Sequence, residues 1–159
     1  MKIFIDANIL LDIFNNERPF YGYSLAFYEY ALKRQYPLFT SCDLITTIYY
    51  INSKKDKSQA LLNIQDTNKT LKVIEFSNKE IEETCNLMLE DSKYLELNSD
   101  TLVSKEKVGY KDLEDTIQYI MAKKQQCDLI ISNDKNFVSK DIKILSSEEF
   151  CKLHNIKSK

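Results

Sequence analysis

Three aspartates in this sequence sit where their side chains could be gathered for chemistry. Asp6 ends the apolar run at residues 2–5, Asp134 stands just past the run at 129–132 in ISNDKNF, and Asp115 falls in the first turns of the helical stretch KDLEDTIQYIMA. In an open parallel sheet, ligands collect at the carboxyl ends of strands, beside helix starts. Brought together there, the three would form a set of hard oxygen ligands suited to Mg²⁺ or Mn²⁺, mutually repulsive without a cation. Such an ion can activate water and stabilise the charge that builds as a phosphodiester is cut. Taken singly, each has a plainer reading. An Asp after a strand is a common turn or cap, and an acid in a first helical turn complements the helix dipole.

The elements around them decide whether they meet. Residues 2–5 read as a short buried strand closed by the turn-forming Asp6, Ala7 and Asn8, and a helix follows through Leu11 and Phe14. Residues 21–34 place Leu25, Tyr28, Ala31 and Leu32 on one helical face and stop near Pro37. A strand at 38–40 leads to a helix capped by Asp43 that carries Ile45, Ile48, Tyr49 and Ile51, and Ala60 to Ile64 mark another helix. Then come a strand at 71–76, helices at 78–90 and 112–125, strands at 129–132 and 142–145, and a last helix from Ser146 or Ser147. In the 112–125 helix, Leu113, Ile117, Ile120 and Met121 form the expected buried face. Strands alternating with helices predict an α/β fold: a parallel sheet covered on both faces, with right-handed crossovers. Residues 92–109, polar and weakly periodic, read as an extended loop or a helix extension.

Composition narrows the classes further. A length of 159 residues, 43% of them apolar, suits one compact domain over 1–159. The start fits neither a secretory signal nor a membrane span, so a cytoplasmic protein is expected. The 22 basic and 24 acidic residues leave a net charge of -2, which excludes binding nucleic acid by bulk charge and makes any RNA contact local. Four cysteines, far apart and with no CxxC pair, read as reduced core thiols. His154 is the only histidine and has no partner at zinc spacing.

Together these segments resemble the PIN-domain family along nearly the whole chain. MKIFIDANILLDIF is similar to the family's opening strand, with Asp6 at its metal-binding Asp and Asn8 at its supporting Asn. TSCDLITTIYYI resembles the second motif, DLEDTIQYIMA the third, IISNDKNF the fourth, and IKILSSEEF the last strand and helix. The resemblance implies a three-layer α/β/α sandwich and metal-dependent endoribonuclease activity, with Asp6, Asp115 and Asp134 holding Mg²⁺ or Mn²⁺. Many bacterial members are similar to VapC, the toxin of a pair whose antitoxin blocks the active site. The partners this implies are RNA, an antitoxin protein and a second copy of the chain. The second motif departs from the family, because Thr47 stands where most members carry Glu, as in a subgroup of less certain activity. That change would weaken the metal site, restrict it to one ion, or leave the work to Glu114 or Asp43.

The remaining candidates surround these motifs. Ser132 and Asn133 read either as hydrogen-bond partners of the carboxylates or as turn residues, and Asn8 as orienting Asp6. Glu114 points about a third of a turn from Asp115 and is a secondary ligand candidate. Asp12 reads as a solvated or capping acid, and Tyr49 and Tyr50 as core aromatics before base-stacking ones. Lys111 and Lys135 are the foremost RNA contacts by proximity, ahead of Arg18, Lys54, Lys55, Lys57, Lys105 and Lys107; the lysines of residues 92–109 could form a flap over RNA. Against the nuclease stands a non-catalytic PIN-like module with a degraded site, binding RNA or protein. A doubly wound phosphoryl-transfer domain ranks last, since Asn8 replaces the second acid of a DxD pair.

Overall fold

Ile3–Ile5 (β1), Leu38–Ser41 (β2) and Leu129–Ile131 (β4) are buried along their whole length, as strands are when helices cover both faces of a sheet; β1 and β4 are wholly apolar, and the buried Thr40 of β2 donates its hydroxyl to the Ile5 carbonyl. The computed structural model describes residues 1–97 and 109–159. Lys72–Ile74 (β3) and Lys143–Leu145 (β5) complete a parallel sheet of order β3-β2-β1-β4-β5. Both outer strands open on an exposed lysine, a charge that discourages pairing at a sheet edge.

The helices are Ala7–Ile13 (α1), Tyr21–Lys33 (α2), Cys42–Asn52 (α3), Lys57–Thr70 (α4), Asn78–Leu97 (α5), Leu113–Lys124 (α6) and Ser147–Leu153 (α7). One group, α1, α2, α3, α4 and α7, packs together, while α5 packs on α6 and α6 lies against β2. This is the expected α/β/α sandwich. Among the described residues, no helix is long and apolar enough to cross a membrane.

Several faces lie one residue away from the expected stripe. In α2, Ser24, Phe27 and Ala31 point inward and Leu32 is exposed, because α2 is wedged against α1 and α7. Phe27 meets Phe150 edge-on at 4.9 Å. In α6, Ile120 and Met121 are buried as expected, joined by Thr116, Gln118, Tyr119 and Ala122, whereas Leu113, at the first helical position, is 52% exposed. In α3, Leu44 and Ile48 are buried, but Tyr50 is 65% exposed with the Lys54 ammonium 4.3 Å over its ring, so Tyr50 is not a core aromatic. Ser41, not Asp43, takes the N-cap position of α3, because β2 stays extended through Ser41 and Asp43 falls in the first turn. Among the cysteines, all free, Cys127 and Cys151 are buried, but Cys85 is exposed on α5. The helix extension holds as far as Leu97; the flap lysines Lys105 and Lys107 lie outside the described residues.

With only two glycines in the chain, three helices end on a non-glycine residue at positive φ: Gln35 (55°), Gln126 (54°) and Asn155 (55°). After Gln126, the Cys127 N–H returns to the Ala122 carbonyl at 2.9 Å and the Gln126 N–H to Lys123 at 2.9 Å, closing a Schellman turn that feeds β4. A side chain in the left-handed region carries a steric cost that glycine lacks. Gln126→Gly should therefore stabilise the protein by about 0.5–1 kcal/mol in urea unfolding, and a loss of stability would show that Gln126 makes compensating contacts.

Candidate active site

The chain leaves β1 toward β2 on one side and leaves β4 toward β5 on the other, so the carboxyl ends of β1 and β4 flank the topological switch of the sheet. The Asp6 N–H donates to the Ile131 carbonyl at 3.1 Å, joining the two strand ends. Asp6 occupies the N-cap position of α1 but makes no capping hydrogen bond with its side chain, and it is only 5% exposed. Its Oδ2 accepts from the Ser132 hydroxyl at 2.6 Å and from Asn8 Nδ2. Asn8 Nδ2 also lies 3.1 Å from Ser132 Oγ, and Asn8 Oδ1 accepts the Asn133 N–H at 3.0 Å. Oδ1 of Asp6 has no side-chain partner among the described residues.

The start of α6 brings further acids to this point. Asp112 is its N-cap and accepts the Asp115 N–H at 3.1 Å, which places Glu114 and Asp115 in the first turn. Asp134 is exposed, donates its N–H to Ser132 Oγ at 3.1 Å and accepts the Asn136 N–H at 2.8 Å. Burial lifts the Asp6 carboxyl to about 6; the Ser132 hydrogen bond and the nearby Ala7 backbone N–H oppose this, and the charges of Glu114 and Asp134 add to it. Asp115 is pushed up to about 7, first by burial and then by Asp6, Asp112, Asp134 and Glu114. Glu114 is raised by burial and by Asp43 and Asp112. The charges acting on these carboxyls are all negative, the condition in which a cation relieves the most repulsion.

A cleft of about 440 Å³ opens beside the cluster, lined in part by Tyr110, Lys111, Asp115, Thr116, Asp134 and Asn136. Among the described residues, no three His, Cys, Asp or Glu side chains close tightly on one point. The donors are nonetheless all carboxylate oxygens, the chemistry a hard divalent ion takes, so the residues fit such an ion in kind.

The other candidates fall in different places. Thr47 is half-buried on α3 and its hydroxyl makes no side-chain hydrogen bond among the described residues, while Asp43, one turn earlier, is near enough to raise Glu114. Asn133 does bond a carboxylate, but it is Asp12, at 2.7 Å, and not a member of the cluster. Asp12 is itself 1% exposed and paired with Arg18 at 2.5 Å, so it is neither solvated nor a cap. An acid inside the run ILLDIF was the available signal, since a helix that buries its neighbours on both sides tends to bury it too. Asp112 was also missed as a member of the cluster; its D-x-x-D spacing to Asp115 carries the capping signature. Lys111 and Lys135 are exposed and form no ion pair among the described residues, whereas Lys55 pairs with Glu17 at 3.0 Å. His154 ends α7 with its ring 4.3 Å from that of Phe150.

Comparison with known proteins extends the picture. A family model described as "PIN domain" matches residues 2–136. Over 154 residues the chain is 42% identical to Ribonuclease VapC1 of Aquifex aeolicus (strain VF5), covering 97% of this chain and 96% of that protein. Among solved structures, it superposes with a TM-score of 0.59 on a chain of VapBC2 from Rickettsia felis bound to a DNA fragment from their promoter, at 19% identity and covering 92% and 98% of the two chains. Mycobacterium tuberculosis VapC20, described as a sarcin-ricin loop cleaving toxin, gives a TM-score of 0.57 at 12% identity, covering 86% of this chain and 92% of that one. At those identities the two structures share the fold.

Proposed function

The chain belongs to the PIN-domain family, and from that membership and the acid cluster we propose that it is a VapC-type endoribonuclease, the toxin of a toxin-antitoxin pair acting in the cytoplasm. In this reading the whole chain, 1–159, is one unit. Asp6, Asp115 and Asp134 would hold Mg²⁺ or Mn²⁺, with Glu114 as a further oxygen donor and Asp43 adding negative charge on the side where Thr47 replaces the family's Glu. When bound, the ion supplies a Lewis acid that lowers the pKa of water and shields the phosphate under attack. Ser132 and Asn8 keep Asp6 turned by hydrogen bonds to one of its oxygens, leaving the other presented. Asp112 secures the first turn of α6 and so the direction of Asp115. Lys111 and Lys135 contact RNA phosphates near the cut. An antitoxin and a second copy of the chain are the protein partners.

The observation that carries this reading is the convergence of acids from β1, β4 and α6 at the switch point, with Asp6 and Asp115 both raised by the crowding. Purified protein should cut RNA with Mn²⁺ or Mg²⁺ and stop when a chelator removes the ion. Expression of the wild type should arrest growth, and Asp115→Asn should not. Growth arrest by both proteins, or cleavage indifferent to chelator, contradicts the proposal. The competing module without catalysis draws on Thr47 and on the open spacing of the acids; RNA binding without cleavage under all these conditions would favour it.

A further inference from the structure

Building on the ribonuclease reading, we infer that Asn133 is a positioning residue for the Asp6 carboxylate, locked in one orientation by the buried Asp12 on one side and by Ser147 on the other. Asn133 Nδ2 donates to Asp12 Oδ2 at 2.7 Å, and its Oδ1 accepts both the N–H and the hydroxyl of Ser147 at 3.0 Å. A flipped amide would set its oxygen against the Asp12 carboxylate and its NH₂ against the Ser147 donors, so only one orientation is allowed. Asp12 is held in turn by Arg18 at 2.5 Å and by the Ser24 hydroxyl at 3.1 Å. Asp12, Ser24 and Ser147 are all buried. A carboxylate taken out of water is costly unless its lone pairs are filled, and a filled network specifies geometry tightly.

The network reaches the site through the backbone. The Asn133 N–H donates to Asn8 Oδ1 at 3.0 Å, which fixes the Asn8 amide so that Nδ2 faces Asp6 Oδ2 and Ser132 Oγ. The path therefore runs from Ser147 and Asp12 to Asn133, then to Asn8, then to Asp6. Ser147 lies beyond the segment 2–136 that matches the family, so α7 takes part in orienting an aspartate at the opposite end of the chain. Ser147, Asp12, Asn133 and Asn8 hold no ion themselves; their effect is on the direction of Asp6.

The test is Mn²⁺ calorimetry on the full chain for wild type, Asn133→Ala, Asp12→Asn and Ser147→Ala, with melting curves and steady-state cleavage alongside. Asn133→Ala keeps the N–H that reaches Asn8 but frees the segment that carries it, and should weaken Mn²⁺ about 3–10-fold and lower kcat on a similar scale while KM for RNA holds. Asp12→Asn retains an oxygen to accept from Asn133 Nδ2 and should leave Mn²⁺ affinity within about 3-fold of wild type. If Asn133→Ala does not fold, Ser147→Ala decides: it keeps the backbone donor and should weaken Mn²⁺ by about 3-fold. Asn133→Ala and Ser147→Ala that melt earlier yet bind Mn²⁺ as the wild type does would make the network purely structural and overturn the inference. A wild type that neither binds Mn²⁺ nor cuts RNA would instead remove the ribonuclease reading itself, a result distinct from equal binding by wild type and variant.

Discussion

Asp6→Asn is expected to lose most of the cleavage activity and, without metal at pH 7.5, to melt at a higher temperature than the wild type. The two effects share one cause. Asp6 is 5% exposed, and burial raises its carboxyl from 3.8 to about 6, so near neutral pH the fold holds a charge the site disfavours. That difference corresponds to on the order of 3 kcal/mol against the charged form. An asparagine oxygen can still accept from Ser132 and Asn8, and its NH₂ takes the place of Oδ1, which has no side-chain partner. The hydrogen bonds lose the added strength of a charged acceptor, which offsets part of the gain. A net stabilisation of about 1–2 kcal/mol should remain, or roughly 3–6 °C for a chain of this length. Cleavage should fall by about 100-fold or more, the scale of losing one preorganised charge-stabilising group. Calorimetric melting in chelator and a single-turnover RNA assay measure the two sides. A variant that melts earlier than the wild type in chelator would mean that Asp6 is compensated by an interaction other than those described.

The second large effect is on pH and metal together. Asp6 and Asp115 are raised to about 6 and about 7 from 3.8. Across that window the folded protein binds more protons than the unfolded chain, so stability falls as pH rises from about 4 to about 7. The opposite sign belongs to Glu80, lowered from 4.5 to about 2 by hydrogen bonds from Ser77 and by Lys124; the stability it adds is present above its unfolded value and is lost on acidification through its folded one. Asp91, Asp141 and Glu149 are lowered as well, each held by a hydrogen-bond or lysine partner. Metal-free protein should therefore be most stable near pH 5 and weaker at pH 7.5. Mn²⁺ competes with the same protons, so its stabilisation should be small at pH 5 and large at pH 7.5. At an ion concentration of about 100 times Kd it should reach about 2.7 kcal/mol. Melting temperatures at the two pH values, with chelator and with saturating Mn²⁺, give the four numbers needed. Equal stabilisation at both pH values would show that the ion binds elsewhere than at the raised carboxyls.

Element type and order were legible in the sequence because the patterns that set them are local. Each strand is a short apolar run closed by a turn former, and each helix carries its own periodic stripe. The positions of Asp6 and Asp134 just past buried runs, and of Asp115 at a helix start, follow from those local patterns, and a parallel sheet then carries all three toward one edge. What only the tertiary structure decided was orientation. Two adjacent stripes in α2 are both apolar, and packing against α1 and α7 chose the one with Phe27. Asp12 and Asp6 are both acids beside apolar residues; only the fold shows that one is paired with the Arg18 cation and hydrogen-bonded by Asn133, while the other meets neutral hydrogen-bond donors and further negative charge. Hydrogen-bond partners here lie more than a hundred residues apart in the chain, as Asn8 does from Ser132, and no local pattern encodes such a pairing. Residue chemistry and spacing determined what could be gathered; the direction in which each carboxylate faces, and what faces it, was set by the packing of the strand ends and helix starts around the switch point.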